Sequence, residues 1–137
     1  AEILIDQEIE YDIPFSEDLC GTCTACIDAC PTNALTEYKI DSNKCISYLT
    51  IEYREDFKNE NLHDWIYGCD ICQEVCPWNI KFEQVKKDQQ FEPRESLVNF
   101  FQSNWNNLSE ETFQSSFSNS AVKRTKYKGL KRNIESL

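Results

Sequence analysis

The chain has 137 residues, with 14 basic against 24 acidic side chains and a formal charge of −10. That length supports one domain, or one small domain with an appendage. No apolar run approaches the roughly 18 residues that a membrane-spanning helix needs, and with three glycines there is no glycine-rich phosphate loop.

The first residue is Ala1 and methionine is absent throughout, which suggests a processed chain or an excised piece. Ala1 to Asp12 holds five acids, unlike the basic start and apolar run of a secretory leader. The expectation is a soluble, cytosolic monomer. In a reducing cytosol, eight cysteines point to metal binding or redox chemistry before disulfides. The charge is uneven. Lys123 to Leu137 carries six bases against a single acid, Glu135, a sum of +5, which leaves −15 for residues 1–122.

In chain order, Glu2 to Tyr11 alternates apolar and polar residues and reads as a strand or extended arm, which Pro14 ends. Residues 20–30 form a cysteine loop turning into a short helix. Ala34 to Asp41 reads as a strand or short hairpin with Asp41 to Asn43 as its turn. Lys44 to Tyr53 is expected as a helix, Arg54 to Leu62 as a charged surface insertion, and Leu62 to Trp78 as a helix becoming a second cysteine loop. Ser96 to Leu108 has helical spacing. Ser109 is a candidate N-cap with acids in the following turn. Ser120 is a candidate cap for a last helix through Ile134, broken near Gly129.

The cysteines form a near-repeat. The first motif is Cys20-x2-Cys23-x2-Cys26-x3-Cys30-Pro31; the second is Cys45, a gap, then Cys69-x2-Cys72-x3-Cys76-Pro77. A 4Fe–4S cubane needs four thiolates, and cysteines two residues apart can wrap three corners. The cysteine before proline ligates the other cluster in two-cluster ferredoxins. The expected ligands are therefore Cys20, Cys23, Cys26 and Cys76 for one cluster and Cys30, Cys45, Cys69 and Cys72 for the other. Two zinc sites or a disulfide framework would also consume all eight, but zinc modules present separated pairs, and a disulfide framework needs a secreted context.

Other residues speak less. His63, the one histidine, reads as a surface residue. Trp65, Tyr67 and Trp78 read as core packing that would also keep water from a cluster. The basic run from Lys123 reads by itself as a solvated helix face. No nucleophile–base–acid set stands out, so no catalytic residue is assigned.

The segments "CGTCTACIDACPTNAL", "KCISYLTIEYR", "WIYGCDICQEVCPWN" and "SAVKRTKYKGLKRNI" together resemble epoxyqueuosine reductase, a cobalamin-dependent iron–sulfur family of queuosine synthesis in tRNA. The resemblance runs from about Cys20 to Ile134. It implies an α+β fold: a two-cluster, bacterial ferredoxin-like module of short helices and small hairpins, followed by an α-helical segment that begins a helical-repeat region. The expected division is an arm over 1–19, a double-cluster domain over 20–92 and an α-helical appendage with a basic end over 93–137. The resemblance further implies electron flow from an external donor through the clusters to a cobalamin, held mainly by a domain not in this chain, that reduces epoxyqueuosine to queuosine. Ser47, Cys69 and Asp70 would face the cobalamin. Lys123, Arg124, Lys126, Lys131 and Arg132, with Arg54 as a weaker candidate, would face tRNA phosphates. The chain alone is expected to be inactive. A stand-alone ferredoxin-type carrier, the cluster domain of another corrinoid reductase and a purely structural metal module remain as alternatives.

Overall fold

The computed structural model describes residues 3–84, 92–100 and 102–137. Ala1 and Glu2 of the expected arm, residues 85–91 at the end of the expected double-cluster domain, and residue 101 within the expected Ser96–Leu108 helix lie outside them. The described fold is small and α-rich, with one two-stranded sheet among the described residues.

Residues 3–19 run as an exposed arm without strand pairing. The arm is tied down where it meets the first cysteine loop. Trp78 Nε1 donates to the Leu19 carbonyl at 2.7 Å, and Tyr38 Oη donates to Asp18 Oδ2 at 2.5 Å. Helix α1 (Ala25–Ala29) follows the loop and stops at Cys30. Pro31 forces the residue before it out of the helical region, and Cys30 is extended at φ −68°, ψ 112°.

Strands β1 (Leu35–Thr36) and β2 (Lys39–Ile40) pair antiparallel, Leu35 opposite Ile40. The hairpin turn is Glu37–Tyr38, and only its second residue, Tyr38 at φ 56°, is left-handed, unlike the primed turns that two-residue hairpin loops favour. Asp41–Asn43 is instead the turn after the hairpin, where Asn43 N–H donates to Asp41 Oδ1 at 3.1 Å. It leads into α2 (Ile46–Ile51), whose Ile46, Leu49 and Thr50 are buried. That spacing puts them on one inward face.

Leu62 to Gly68 is not helical. His63 and Asp64 take left-handed backbone, φ 48° and 66°, and the turn drives Leu62 into the interior at 2 % exposure. Helices α3 (Ile71–Glu74) and α4 (Pro77–Phe82) complete the cysteine half, α3 packing on α1.

The expected Ser96–Leu108 helix is two short ones, α5 (Glu95–Val98) and α6 (Gln102–Asn106). Ser109 caps α7 (Glu110–Ser116) as expected, accepting from Thr112 N–H at 3.1 Å. Ser120 caps a 3₁₀ helix (Ala121–Thr125) through Val122 N–H. The break before α8 (Lys126–Glu135) falls at Lys126, φ 62°, and not at Gly129. Gly129 lies inside α8, at a position where a Cβ would stand 2.6 Å from Thr125 Oγ1. Leu108, Phe113, Phe117, Leu130 and Ile134 form the helical core, and Ile66 and Tyr67 of the cysteine half pack against it.

Polar contacts lock the halves together. Thr50 and Asn133 are fully buried. Asn133 Nδ2 donates to the carbonyls of Thr50 and Ile66 at 2.8 and 2.9 Å, and Thr125 Oγ1 donates to the Thr50 carbonyl at 2.9 Å. Buried polar groups satisfied in this way fix one relative placement of the parts.

Candidate iron–sulfur site

The first loop is shaped by its backbone. Cys23 N–H donates to the Cys20 carbonyl at 3.0 Å, closing a turn through Gly21 at φ 52°, a conformation that suits glycine. Asp18 Oδ1 accepts from Cys20 and Gly21 N–H at 3.0 and 3.3 Å. Cys26 then lies on α1. Cys76 arrives from the second motif as the N-cap of α4, with Pro77 starting that helix. Cys20, Cys23, Cys26 and Cys76 line one cavity of about 260 Å³, together with Leu35, Pro77 and Trp78. Cys72 also reaches this wall.

The other four expected ligands are Cys30, Cys45, Cys69 and Cys72. Burial pushes the Cys69 thiol up, a hydrogen bond from the Ile71 N–H partly offsets it, and smaller repulsions from Cys72, Cys45 and Cys30 add to it. Cys45 stands at the N-cap of α2 and Cys72 lies on α3. Thr50 brings the two segments into register, because its hydroxyl donates to the Ile46 carbonyl at 2.7 Å and accepts from Gly68 N–H at 3.0 Å. At Cys30, partial burial raises the thiol. Hydrogen bonds from the Ala34 N–H, Thr32 and the Leu35 N–H outweigh it and leave the thiol below its ordinary value.

All eight cysteines are free. Cys20 and Cys23 are exposed and the other six half-buried. Among the described residues, no three His, Cys, Asp or Glu side chains converge as ligands of a single ion would. A zinc site would hold its sulfurs about 3.8 Å apart, from Zn–S bonds of about 2.3 Å. The sulfurs of Cys20, Cys23, Cys26 and Cys76 border a space instead, which fits a four-iron cube ligated at its corners.

Ser47 lies on α2, and Cys69 and Asp70 lie on the turn that Thr50 holds against that helix. Asp70 is exposed, and its carboxylate makes no capping bond to α3. Trp78 lines the first cavity. Tyr67 faces the other way, its hydroxyl donating to the Ala121 carbonyl at 2.8 Å. His63 is exposed.

The basic residues divide. Arg132 is committed to the fold: its guanidinium donates to the carbonyls of Leu49, Tyr53 and Glu55 at 3.0, 2.9 and 2.7 Å and lies 4.0 Å from the Phe57 ring centre. Arg54 donates to the Arg124 and Thr125 carbonyls at 3.0 and 3.3 Å. Arg124 pairs with Glu52, and Lys131 stands 3.9 Å from Glu135. Lys123, Lys126 and Lys128 border one surface cavity with Glu110 and Tyr127. Reading the sequence as a basic run missed this division, since the carbonyls that hold Arg132 are 77 to 83 positions away. It also missed Thr32, Thr50 and Asn133, which carry no motif.

The 4Fe-4S double cluster binding domain family matches residues 19–79. An epoxyqueuosine reductase of Leadbetterella byssophila is 50 % identical over 137 residues, 98 % of this chain and 44 % of its own length. The structure of epoxyqueuosine reductase from Bacillus subtilis superposes with a TM-score of 0.77 at 32 % identity, over 92 % of this chain and 34 % of that one. An epoxyqueuosine reductase crystallised with an epoxyqueuosine-modified tRNA stem loop gives 0.68 at 31 % identity, over 91 % of this chain and 34 % of that one. The chain thus spans less than half the length of the curated relatives it matches. Nearly its whole length is thus similar, in sequence and fold, to part of an epoxyqueuosine reductase.

Proposed function

We propose that this chain is the electron-transfer part of an epoxyqueuosine reductase and holds two 4Fe–4S clusters by crossed ligation. Cys20, Cys23, Cys26 and Cys76 hold one; Cys30, Cys45, Cys69 and Cys72 hold the other. The observation that supports the reading is that Cys76 of the second motif lines the first cavity with Cys20, Cys23 and Cys26, where Cys72 also reaches. When bound, the clusters supply one-electron carriage. The chain's own residues fix the thiolates, narrow the gap between the two groups at Cys72, and leave Cys20 and Cys23 exposed where an external donor can approach.

On this reading the arrangement is a ferredoxin-like module joined to the first helices of a repeat region. It serves a cobalamin bound mainly by another part of the enzyme, with Ser47, Cys69 and Asp70 facing that cofactor. The substrate is epoxyqueuosine in tRNA, reduced to queuosine, and the protein works as a cytoplasmic monomer. Lys123 and Lys126, joined by Lys128, meet tRNA phosphates. Arg54, Arg124 and Arg132 hold the platform beneath them.

Anaerobic iron and sulfide quantification with an absorption spectrum tests the reading. It expects about eight irons and eight sulfides per chain and a broad brown band that dithionite bleaches. Zinc without that band contradicts it. The loaded chain mixed with cobalamin is expected to give no epoxide reduction; turnover by it would contradict the division of labour.

A further inference from the structure

The two Cys-Pro steps are equivalent in spacing but not in structure. After Cys76, Pro77 starts α4 and the backbone N–H groups run up the helix, Ile80 N–H donating to the Cys76 carbonyl at 3.0 Å. After Cys30 the chain turns back: Asn33 N–H donates to the Cys30 carbonyl at 3.2 Å, and Asn33 takes φ 51°. Proline suits the second position of such a turn, and asparagine tolerates the left-handed one. The reversal aims Ala34 N–H at Cys30 Sγ, 3.3 Å away, and sets Thr32 Oγ1 at 3.6 Å from the same sulfur. Among the described residues, the other contacts to sulfur are sparser. Cys69 accepts from the Ile71 N–H, and Cys72 receives one long contact, Gln73 Nε2 at 3.9 Å.

We infer that Thr32 is a positioning residue that raises the reduction potential of the cluster ligated by Cys30. The inference rests on the crossed ligation proposed above. In a free thiol either partner could donate, but a sulfur bonded to iron carries no proton. It can then only accept, so the Thr32 hydroxyl must donate. Hydrogen bonds to ligating sulfurs favour the reduced, more negative cluster and so help set its potential. Thr32 belongs to the first loop, yet through Cys30 it acts on the cluster built mainly by the second. The helix after Cys76 makes no such reversal, so the two clusters are tuned apart by a difference in turn geometry.

The test is an electron paramagnetic resonance redox titration of the cluster-loaded chain, with iron measured in the same samples, for Thr32→Val and Thr32→Ser. The wave that disappears in Cys30→Ala identifies the cluster concerned. Thr32→Val is expected to keep its iron and lower that wave alone. The reduced-to-oxidised ratio at a fixed potential falls about tenfold, ~59 mV for one electron, and Thr32→Ser restores it. Full iron with neither wave moved, or with the other wave moved, overturns the inference. So does loss of iron from Thr32→Val, which would make the residue purely structural. A wild-type chain without clusters contradicts the proposed function first and this inference with it.

Discussion

Asn133 of α8 donates its side-chain amide to the Thr50 carbonyl of α2 at 2.8 Å, and both residues are fully buried. The same Thr50 receives Gly68 N–H on its hydroxyl, one residue before Cys69. The helical half therefore sets the place of the second cysteine group, although it contributes no ligand to it.

Asn133→Ala removes the donor to the Ile66 carbonyl and the Oδ1 that accepts from Arg132 Nε and Nη2, while the Thr50 carbonyl keeps Thr125. One buried acceptor left unpaired costs about 1–3 kcal/mol. A denaturant titration of the loaded chain is expected to show that loss. Iron is expected to fall toward half, from the group around Cys69. An unchanged midpoint would show that the helical half does not brace the site.

Arg132 and Lys123 are both cationic but are expected to behave oppositely. Arg132→Lys cannot supply the guanidinium fork that meets three carbonyls, since an ammonium has one point of charge and fewer fixed donors. It is expected to lose about 2–3 kcal/mol of stability. Lys123→Ala is expected to change stability by less than about 0.5 kcal/mol. It should lower the slope of log affinity for a tRNA stem loop against log salt by about 1. Equal effects of the two substitutions on that slope would contradict the division.

Gly129→Ala is expected to destabilise, against helix propensity. Alanine gains about 1 kcal/mol over glycine in a helix interior, but its Cβ would meet Thr125 Oγ1 at 2.6 Å. Thr125 cannot move freely because its hydroxyl holds the Thr50 carbonyl. Overpacking of this kind costs about 1–3 kcal/mol. In a Thr125→Ala background the clash is absent, and Gly129→Ala is expected to become stabilising. A double-mutant cycle reads the sign change directly.

Glu52 is held below the usual carboxylate range by its hydrogen bond from Arg124. Its folded value is depressed, so its contribution is present above the ordinary glutamate pKa and lost as pH falls through the lowered one. A carboxyl-detected titration is expected to find Glu52 titrating low in the wild type and returning to the ordinary range in Arg124→Gln. No change would mean that Arg124 is free for another partner.

Much of this was legible in the sequence where the cause is local. Cysteine spacing and Cys-Pro steps dictate the loops, because proline acts on the residue before it. Ser109 followed by Glu110 and Glu111 announces the start of α7. The rest was hidden where distant partners decide. Leu62 to Gly68 is expected as helix, but burying Leu62 and giving Gly68 N–H to Thr50 impose a turn. Gly129 looks like a helix breaker and is instead the one residue small enough to pass Thr125. Arg132 looks like a surface charge, and only the folded chain brings it three carbonyls and an aromatic ring.

The central claim is crossed ligation, and iron counting in paired variants tests it most directly. Cys76→Ala is expected to keep about four irons. Adding Cys20→Ala, which by this account removes a second ligand of the same cluster, is expected to leave those four in place. Adding Cys45→Ala is expected to remove them. If Cys76→Ala with Cys20→Ala empties the chain, while Cys76→Ala with Cys45→Ala retains about four irons, each motif serves its own cluster and the crossed assignment is wrong.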